Sequence, residues 1–466
     1  MKKKYALIIL LFIVLQSASA GPFFLKTINS QNLISFNGSL FFTHTTPQET
    51  SIWKTNGTRE GTVQVKNGFL GNCLNIQNMI NVNGALFFFP LDDISIALWK
   101  TDGTQSGTVM VKRLPAMSFE LSFIVINGIL YFSSEDYEGG NELWKSDGTE
   151  EGTVIVKNIN PYDASFPDCF VNLNGFLFFT ATDENGGRMI WKSDGTETGT
   201  EMIYAPIADI RNLTTVGNYI FFSAWDGDNG CELYKTDGTE AGTVLVKDIN
   251  PGALYNSMPS KLTDVNGVLF FIAMTEVNGY ELWKSDGTSQ GTVMVKDICP
   301  GSEKSIYPKF LTNVNGILFF TADDGVHGRE LWKSDGTSAG TIMVKDVNSN
   351  GDSDIENLTN INGVLYFSAD DGIHGRELWK SDGTQAGTVM VENLNPNGNS
   401  NPQAITAFGN KVYFVANDGV NSGLWIEAAN CSEKLWSDLN LDCKVNFEDF
   451  TVMASEWMQC KTENCN

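Results

Sequence analysis

Histidine is scarce. The chain has 466 residues and three histidines, His44, His327 and His374. The last two fall at equivalent points of a repeated phrase, which marks them as repeat vocabulary rather than a catalytic pair. No nucleophile elbow, zinc-ligand cluster or phosphate-binding loop is written anywhere. Positive charge is short too: 31 Lys and Arg stand against 55 Asp and Glu, a formal charge of −24. Phosphate backbones are held by Lys and Arg, so this balance argues against a nucleic-acid partner. It suits solubility, divalent cations or neutral partners.

Long apolar runs are also missing, apart from one at the start. Lys2, Lys3 and Lys4 precede the apolar residues 5–15, and Ala18, Ser19 and Ala20 form a small-residue cleavage site. That pattern predicts a secretory signal peptide over 1–20. No later stretch approaches eighteen apolar residues, so no spanning helix is expected in the exported chain. Of eight cysteines, Cys73, Cys169, Cys231 and Cys299 are scattered, whereas Cys431, Cys443, Cys460 and Cys465 crowd the end. Export permits disulfides, so a cross-linked C-terminal module is plausible, and four cysteines allow three pairings.

What the chain has in abundance is repetition. An aromatic residue after an aliphatic one recurs at Trp53, Trp99, Trp144, Trp191, Tyr234, Trp283, Trp332, Trp379 and Trp425, at intervals of 43 to 49 residues. Each copy divides into four short apolar pieces, for example KFLTNV, ILFFTADD, ELWKSD and TIMVKDV in the seventh. Asn-Gly separates the first two pieces in seven copies, and copies five and nine reverse it as Gly217-Asn218 and Gly409-Asn410. Such pairs suit two-residue hairpin turns. DGTxxGT joins the last two pieces, with Asp and Gly shaping the turn and Thr hydroxyls bonding nearby backbone.

Each copy therefore reads as a four-stranded antiparallel meander. The second strands are apolar on both sides, so both faces must be covered. Neighbouring copies stacked face to face achieve this, as in the blades of a β-propeller, with the recurrent Trp as inter-blade core. The chain after the leader opens with PFFLKTI, which reads as a fourth strand, while the ninth copy has only three strands. The expected fold is all-β: a propeller of about nine blades over 21–428, closed by the N-terminal strand so that no sheet edge stays open.

The phrase ELWKSDGTxxGTVMVKD resembles the bacterial ELWxxDGT repeat family, over all nine copies from Ile52 to Trp425. Copies one (SIWKTNGT), four (MIWKSDGT) and nine (GLWIEAAN) depart from it. The resemblance implies a secreted or surface repeat protein, with no reaction attached to the motif.

Strand order places the Asn-Gly and DGTxxGT turns on one face and the second-to-third-strand loops, with the inter-blade links, on the other. The second face varies between copies, and variable loops on a rigid frame are where binding is expected. Asp323, Asp324, Asp370 and Asp371, with Glu330 and Glu377 after them, offer carboxylates to a cation, but the DDG segments read better as loop chemistry. Glu135, Asp136, Asp226 and Asp228 are loop acids of the kind a glycosidase pair needs, and nothing singles out two of them.

After residue 428 the vocabulary changes. In 438–449 the side chains of Asp438, Asn440, Asp442, Asn446 and Asp449 and the carbonyl of Lys444 fall at the spacing of an EF-hand-type loop, which predicts Ca2+ binding. Phe447, Phe450, Met453, Ala454 and Trp457 then share one helical face. This stretch is similar to the calcium loop and helix of a dockerin, with Cys443 where a Gly is usual and one loop where a dockerin has two. Residues 429–466 are thus expected to form a small, Cys-rich, α-helical module. The whole reads as a secreted or cell-surface, non-catalytic binding scaffold, tethered through a calcium-dependent tail to a protein or cell-surface polysaccharide partner. The alternative is an extracellular polysaccharide-active enzyme on a propeller scaffold.

Overall fold

A computed structural model describes residues 22–28, 32–46, 49–69, 75–91, 96–115, 122–136, 140–203, 207–252, 256–300 and 307–428. The predicted leader, Cys73 and the predicted calcium loop with its four cysteines lie outside them.

The strands form nine separate four-stranded sheets. Eight are simple meanders in chain order, spanning 33–66, 75–114, 123–157, 168–203, 208–247, 260–296, 309–345 and 356–392, here blades 1 to 8. Blade 7 shows why the repeat folds this way. Its first strand (Lys309–Val314) turns at Asn315-Gly316 into the second (Ile317–Asp323). Both turn residues have positive φ, 52° and 84°, as a type I′ hairpin requires. In the reversed pairs only the glycine does, with φ of 59° at Gly217 and 61° at Gly409, the type II′ solution to the same two-residue loop.

The DGTxxGT turn is built by its own side chains. Asp335 Oδ1 accepts the Thr337 backbone N–H at 2.8 Å and its hydroxyl at 2.7 Å. Thr337 Oγ1 in turn accepts the Gly340 N–H at 2.9 Å. The hydroxyls of Ser334 and Thr341 bridge the two strand ends at 2.7 Å. A Cβ on Gly340 would fall 2.2 Å from the Asp335 carboxyl, so a side chain there would push that carboxyl out of the turn.

The second strand of each blade is buried on both faces, as its unbroken apolar run predicts. The indoles fill the gaps between blades: Trp332 of blade 7 shares a core with Phe270, Leu282, Val295 and Ile298 of blade 6. Lysines bridge consecutive blades as well. Lys333 Nζ donates to the Gly383 carbonyl at 2.9 Å, and Lys345 Nζ to the Thr388 carbonyl at 2.8 Å. The repeated phrase thus encodes each blade's attachment to its neighbour as well as the blade itself.

The ninth blade closes the ring. Its sheet is ordered Phe23–Thr27, Ser422–Ala428, Lys411–Asn417, Gln403–Phe408, so the N-terminal strand supplies the missing fourth strand. Phe24 pairs with Trp425, their rings 5.1 Å apart. Across the seam, Leu25, Tyr413, Val415 and Leu424 of blade 9 share a core with Leu40 and Phe42 of blade 1. Tyr413 approaches Gly57 of blade 1 as Phe319 of blade 7 approaches Gly383 of blade 8. Where blade 9 lacks a DGT turn, Lys380 faces Glu427 at 3.8 Å instead of a glycine carbonyl.

Candidate functional site

The two faces of the ring differ in kind. The turn face repeats the same hydrogen bonds blade after blade, which is scaffold. The loop face carries the second-to-third-strand loops, the inter-blade links and the starts of the first strands. Those first strands neighbour one another around the axis.

At their starts the backbone leaves regular pairing. Register shifts interrupt the first strands of blades 4 to 9, at Asp168/Val171, Arg211/Thr214, Ser260/Thr263, Lys309/Thr312, Glu356/Thr359 and Gln403/Thr406. Each bulge holds a non-glycine residue at positive φ: Cys169, Asn212, Lys261, Phe310, Asn357 and Ala404. Three residues earlier a second one does the same: Phe166, Asp209, Met258, Tyr307, Asp354 and Asn401. Left-handed backbone costs a non-glycine residue roughly 1–2 kcal/mol, and bulges re-aim side chains. Blades 4 to 9 therefore hold twelve side chains of eight types in one repeated, strained frame on the loop-face rim.

In blades 5 to 7 this rim becomes aromatic. Tyr280 and Tyr307 lie with ring centroids 4.8 Å apart, and the Tyr280 hydroxyl reaches the Met258 sulfur at 3.5 Å. Tyr307 is 52% exposed and Phe310 40%, and Met258 and Trp225 are exposed as well. Charges of both signs border the cluster. Arg211 pairs with Asp209 at 2.7 Å, and Arg329 donates to the Tyr307 carbonyl at 2.8 Å. The outer loops add Val277, Val326, Ile373 and Val420, exposed aliphatic tips at one loop position in blades 6 to 9.

The acids singled out in the sequence separate into two groups. Those of the loops are occupied in shaping them. Asp324 Oδ1 accepts the N–H groups of Val326 and His327 at 2.9 Å, and its other oxygen meets His327 Nδ1 at 2.7 Å. Asp323 caps Gly325, and Asp370 and Asp371 repeat the arrangement with Gly372, Ile373 and His374. This is the loop chemistry expected of DDG. Asp226 accepts from Tyr234 Oη and from Asn229, and these bonds hold its carboxyl at about 2 against the opposing effect of burial. Asp136 in blade 3 likewise accepts the Gly140 N–H, and Asp228 shares the blade 5 loop with Asp226, to which its N–H donates.

The glutamates that open the third strands behave differently. Glu142, Glu232, Glu281, Glu330 and Glu377 are fully buried. Each reaches the link after its own fourth strand: the N–H groups of Ile159, Ile249, Ile298, Val347 and Leu394 donate to them. Burial pushes Glu142, Glu232 and Glu330 up to about 7 and Glu281 up to about 8. Glu330 has Asp346 as its acidic neighbour rather than the DDG pair beside it in sequence. Cys169, Cys231 and Cys299 form no disulfide, and burial pushes the Cys231 thiol up to about 11.

Taken together, the fold and this face define a closed nine-bladed β-propeller with a variable, aromatic-bearing rim. No family model matches the chain, and no curated protein matches it. Solved structures are similar to it at low identity. A puromycin hydrolase is 12% identical with a TM-score of 0.37, over 76% of this chain and 58% of that one. A prolyl endopeptidase is 10% identical with a TM-score of 0.43, over 74% and 54%. The protein lmo1340 of Listeria monocytogenes is 10% identical with a TM-score of 0.36, over 68% and 95%. The chain thus spans just over half the length of the two hydrolytic enzymes.

Proposed function

We propose that the chain is an exported, non-catalytic binding propeller. Its loop face in blades 5 to 7 engages a partner on a cell surface, and the tail, residues 429–466, tethers it in a calcium-dependent way. The observation that carries this reading is the exposed Met258, Tyr307 and Phe310, with the half-buried Tyr280 against Tyr307, on a rim held in a fixed backbone frame. Aromatic side chains offer large contact area at little entropic cost, and a rigid frame lowers the cost of association further. Flat rings bordered by Arg and Asp suit a polysaccharide better than a protein, because sugar rings present apolar faces edged with hydroxyls.

A glycoside-cleaving pair would need two carboxyls within about 5–10 Å, open to a bound substrate. The acids that strand register brings opposite one another, Glu281 with Asp297 and Glu330 with Asp346, have glutamates sealed from solvent, which favours binding over cleavage. Resemblance to the ELWxxDGT repeats and to a dockerin loop supports export and tethering.

The test is retention of the full chain on polysaccharide prepared from the producing cell's surface. Tyr307→Ala and Phe310→Ala, checked for unchanged far-UV circular dichroism, should each weaken retention about tenfold, the scale of a lost aromatic anchor. Equal retention by folded variants defeats the reading. For the tether, calcium should protect residues 429–466 of the full chain from proteolysis, and Asp442→Ala should abolish that protection.

A further inference from the structure

Two carboxylates stand opposite one another inside blade 6. Leu282 pairs with Lys296 in the antiparallel register of the third and fourth strands. One step outward, the same register sets Glu281 against Asp297. Directly opposed residues have Cβ atoms about 4.5–5.5 Å apart and share a face, and like charges so placed repel. Glu281 is 0% exposed. One of its oxygens accepts the Ile298 N–H at 3.2 Å. The other, Oε1, is buried and makes no hydrogen bond among the described residues. Asp297 mirrors this: one oxygen accepts from Asn278 Nδ2 at 2.8 Å, and Oδ1 is buried without a hydrogen bond.

Blade 7 repeats the arrangement. Leu331 pairs with Lys345, which sets Glu330 against Asp346. Glu330 is 0% exposed. Its Oε1 and Asp346 Oδ1 are again buried with no hydrogen bond. Blades 3, 5 and 8 keep one unbonded oxygen each, Glu142 Oε1, Asp248 Oδ1 and Asn393 Oδ1, but lack two facing unbonded acid oxygens. In blade 5, Glu232 opposes Asp248, but both Glu232 oxygens accept hydrogen bonds, from the Ile249 and Ser257 N–H groups. In blade 8 the opposing residue is Asn393, and both oxygens of Glu377 are bonded, to the N–H groups of Leu394 and Asn395. In blade 3 Glu142 Oε1 is likewise buried without a hydrogen bond, but it opposes Asn158 and not an acid.

An unpaired buried charge is expensive, and two facing each other more so. From this we propose that blades 6 and 7 each hold a hard divalent cation of the calcium type between the two acids, Glu281 Oε1 with Asp297 Oδ1 and Glu330 Oε1 with Asp346 Oδ1. Oxygen donors alone select a hard cation over a soft one. Among the described residues no third His, Cys, Asp or Glu joins either pair, so backbone carbonyl and water oxygens complete the coordination. The site lies beneath the second-to-third-strand loop and clamps the third strand to the fourth just where the link to the next blade departs. It would stiffen the rim of the two blades that carry Tyr280, Tyr307 and Phe310.

The experiment counts calcium bound per full-length chain by equilibrium dialysis. Asp438→Ala/Asp442→Ala serves as background, so that the tail loop does not contribute. Two ions per chain are expected in that background. Glu281→Gln should remove one and Glu330→Gln the other. Asp297→Asn and Asp346→Asn serve as second variants of each site, and far-UV circular dichroism confirms that all are folded. Glu377→Gln, whose parent oxygens are both bonded, should leave the count unchanged. A background chain that binds no calcium overturns the proposal. So does a count that folded Glu281→Gln and Glu330→Gln leave intact, which would mean that a shared proton or a bridging water joins the acids instead.

Discussion

Trp332→Ala measures what one inter-blade indole contributes. Trp332 is 6% exposed and packs against Phe270, Leu282 and Val295 of the preceding blade and Phe320 of its own. Burying an aromatic of this kind removes ~150–250 Å² from water, worth about 4–6 kcal/mol at 25 cal/mol per Å². Truncations of this type cost about 3–5 kcal/mol once the cavity partly relaxes. No hydrogen bond adds to this, because Trp332 Nε1 makes none. Lys296 Nζ, 5.9 Å from the ring centroid, adds about 0.5–1 kcal/mol. The expected loss is therefore about 3–5 kcal/mol, read from urea unfolding by circular dichroism with the slope of the transition compared between proteins. A second substitution isolates the nitrogen. Trp144 Nε1 donates to the Ser134 carbonyl at 3.1 Å inside the core. Trp144→Phe strands that carbonyl, at about 1–3 kcal/mol, and Trp332→Phe strands nothing. Trp144→Phe should therefore be the more damaging of the two. A loss below about 1 kcal/mol for Trp332→Ala, a surface-like value, would refute inter-blade burial.

Glu232 makes stability depend on pH in a defined direction. Its carboxyl is held at about 7 by burial against an ordinary 4.5, so the folded chain keeps a proton that the unfolded chain releases. The stabilisation is fully present below about pH 4.5 and is lost as pH rises through about 7. Its ceiling is about 3 kcal/mol. Urea unfolding at pH 5 and pH 8 should show a smaller pH-dependent loss for Glu232→Gln than for the parent, and equal losses would contradict the assignment. Gly340→Ala places a methyl 2.2 Å from the Asp335 carboxyl and breaks the turn that Thr337 completes. A loss of about 1–3 kcal/mol is expected in the same assay, and no change would mean that the turn is not built this way.

Much of the ring was legible because its signals are local and repeated. Asn-Gly at positive φ, DGTxxGT with its bonded Asp and Thr, and the doubly apolar second strands each state one structural fact, and nine copies remove chance. The complementary ends, PFFLKTI and a three-stranded ninth copy, gave away the closure. The rim was not legible. Positive φ at Phe166, Met258, Tyr307 and Phe310 has no glycine or asparagine to announce it. Asp323 and Asp324 stand near Glu330 in sequence, but a bulge between Leu331 and Trp332 shifts the register of the returning strand and brings Asp346 to it, where counting through the DGTxxGT turn would place Lys345. The contact of Tyr280 with Tyr307 and Met258 joins residues far apart in the chain, a juxtaposition that the packing of neighbouring blades creates.

The central claim is that nine blades hide one another's apolar faces in a ring that the N-terminal strand locks. Deleting residues 22–28 tests it most directly, because Phe24 and Leu25 are removed from the seam with blade 9 while every complete blade is kept. The shortened chain should melt at a clearly lower temperature and recover when a synthetic peptide of residues 22–28 is added. An unchanged melting temperature, indifferent to the peptide, would contradict it.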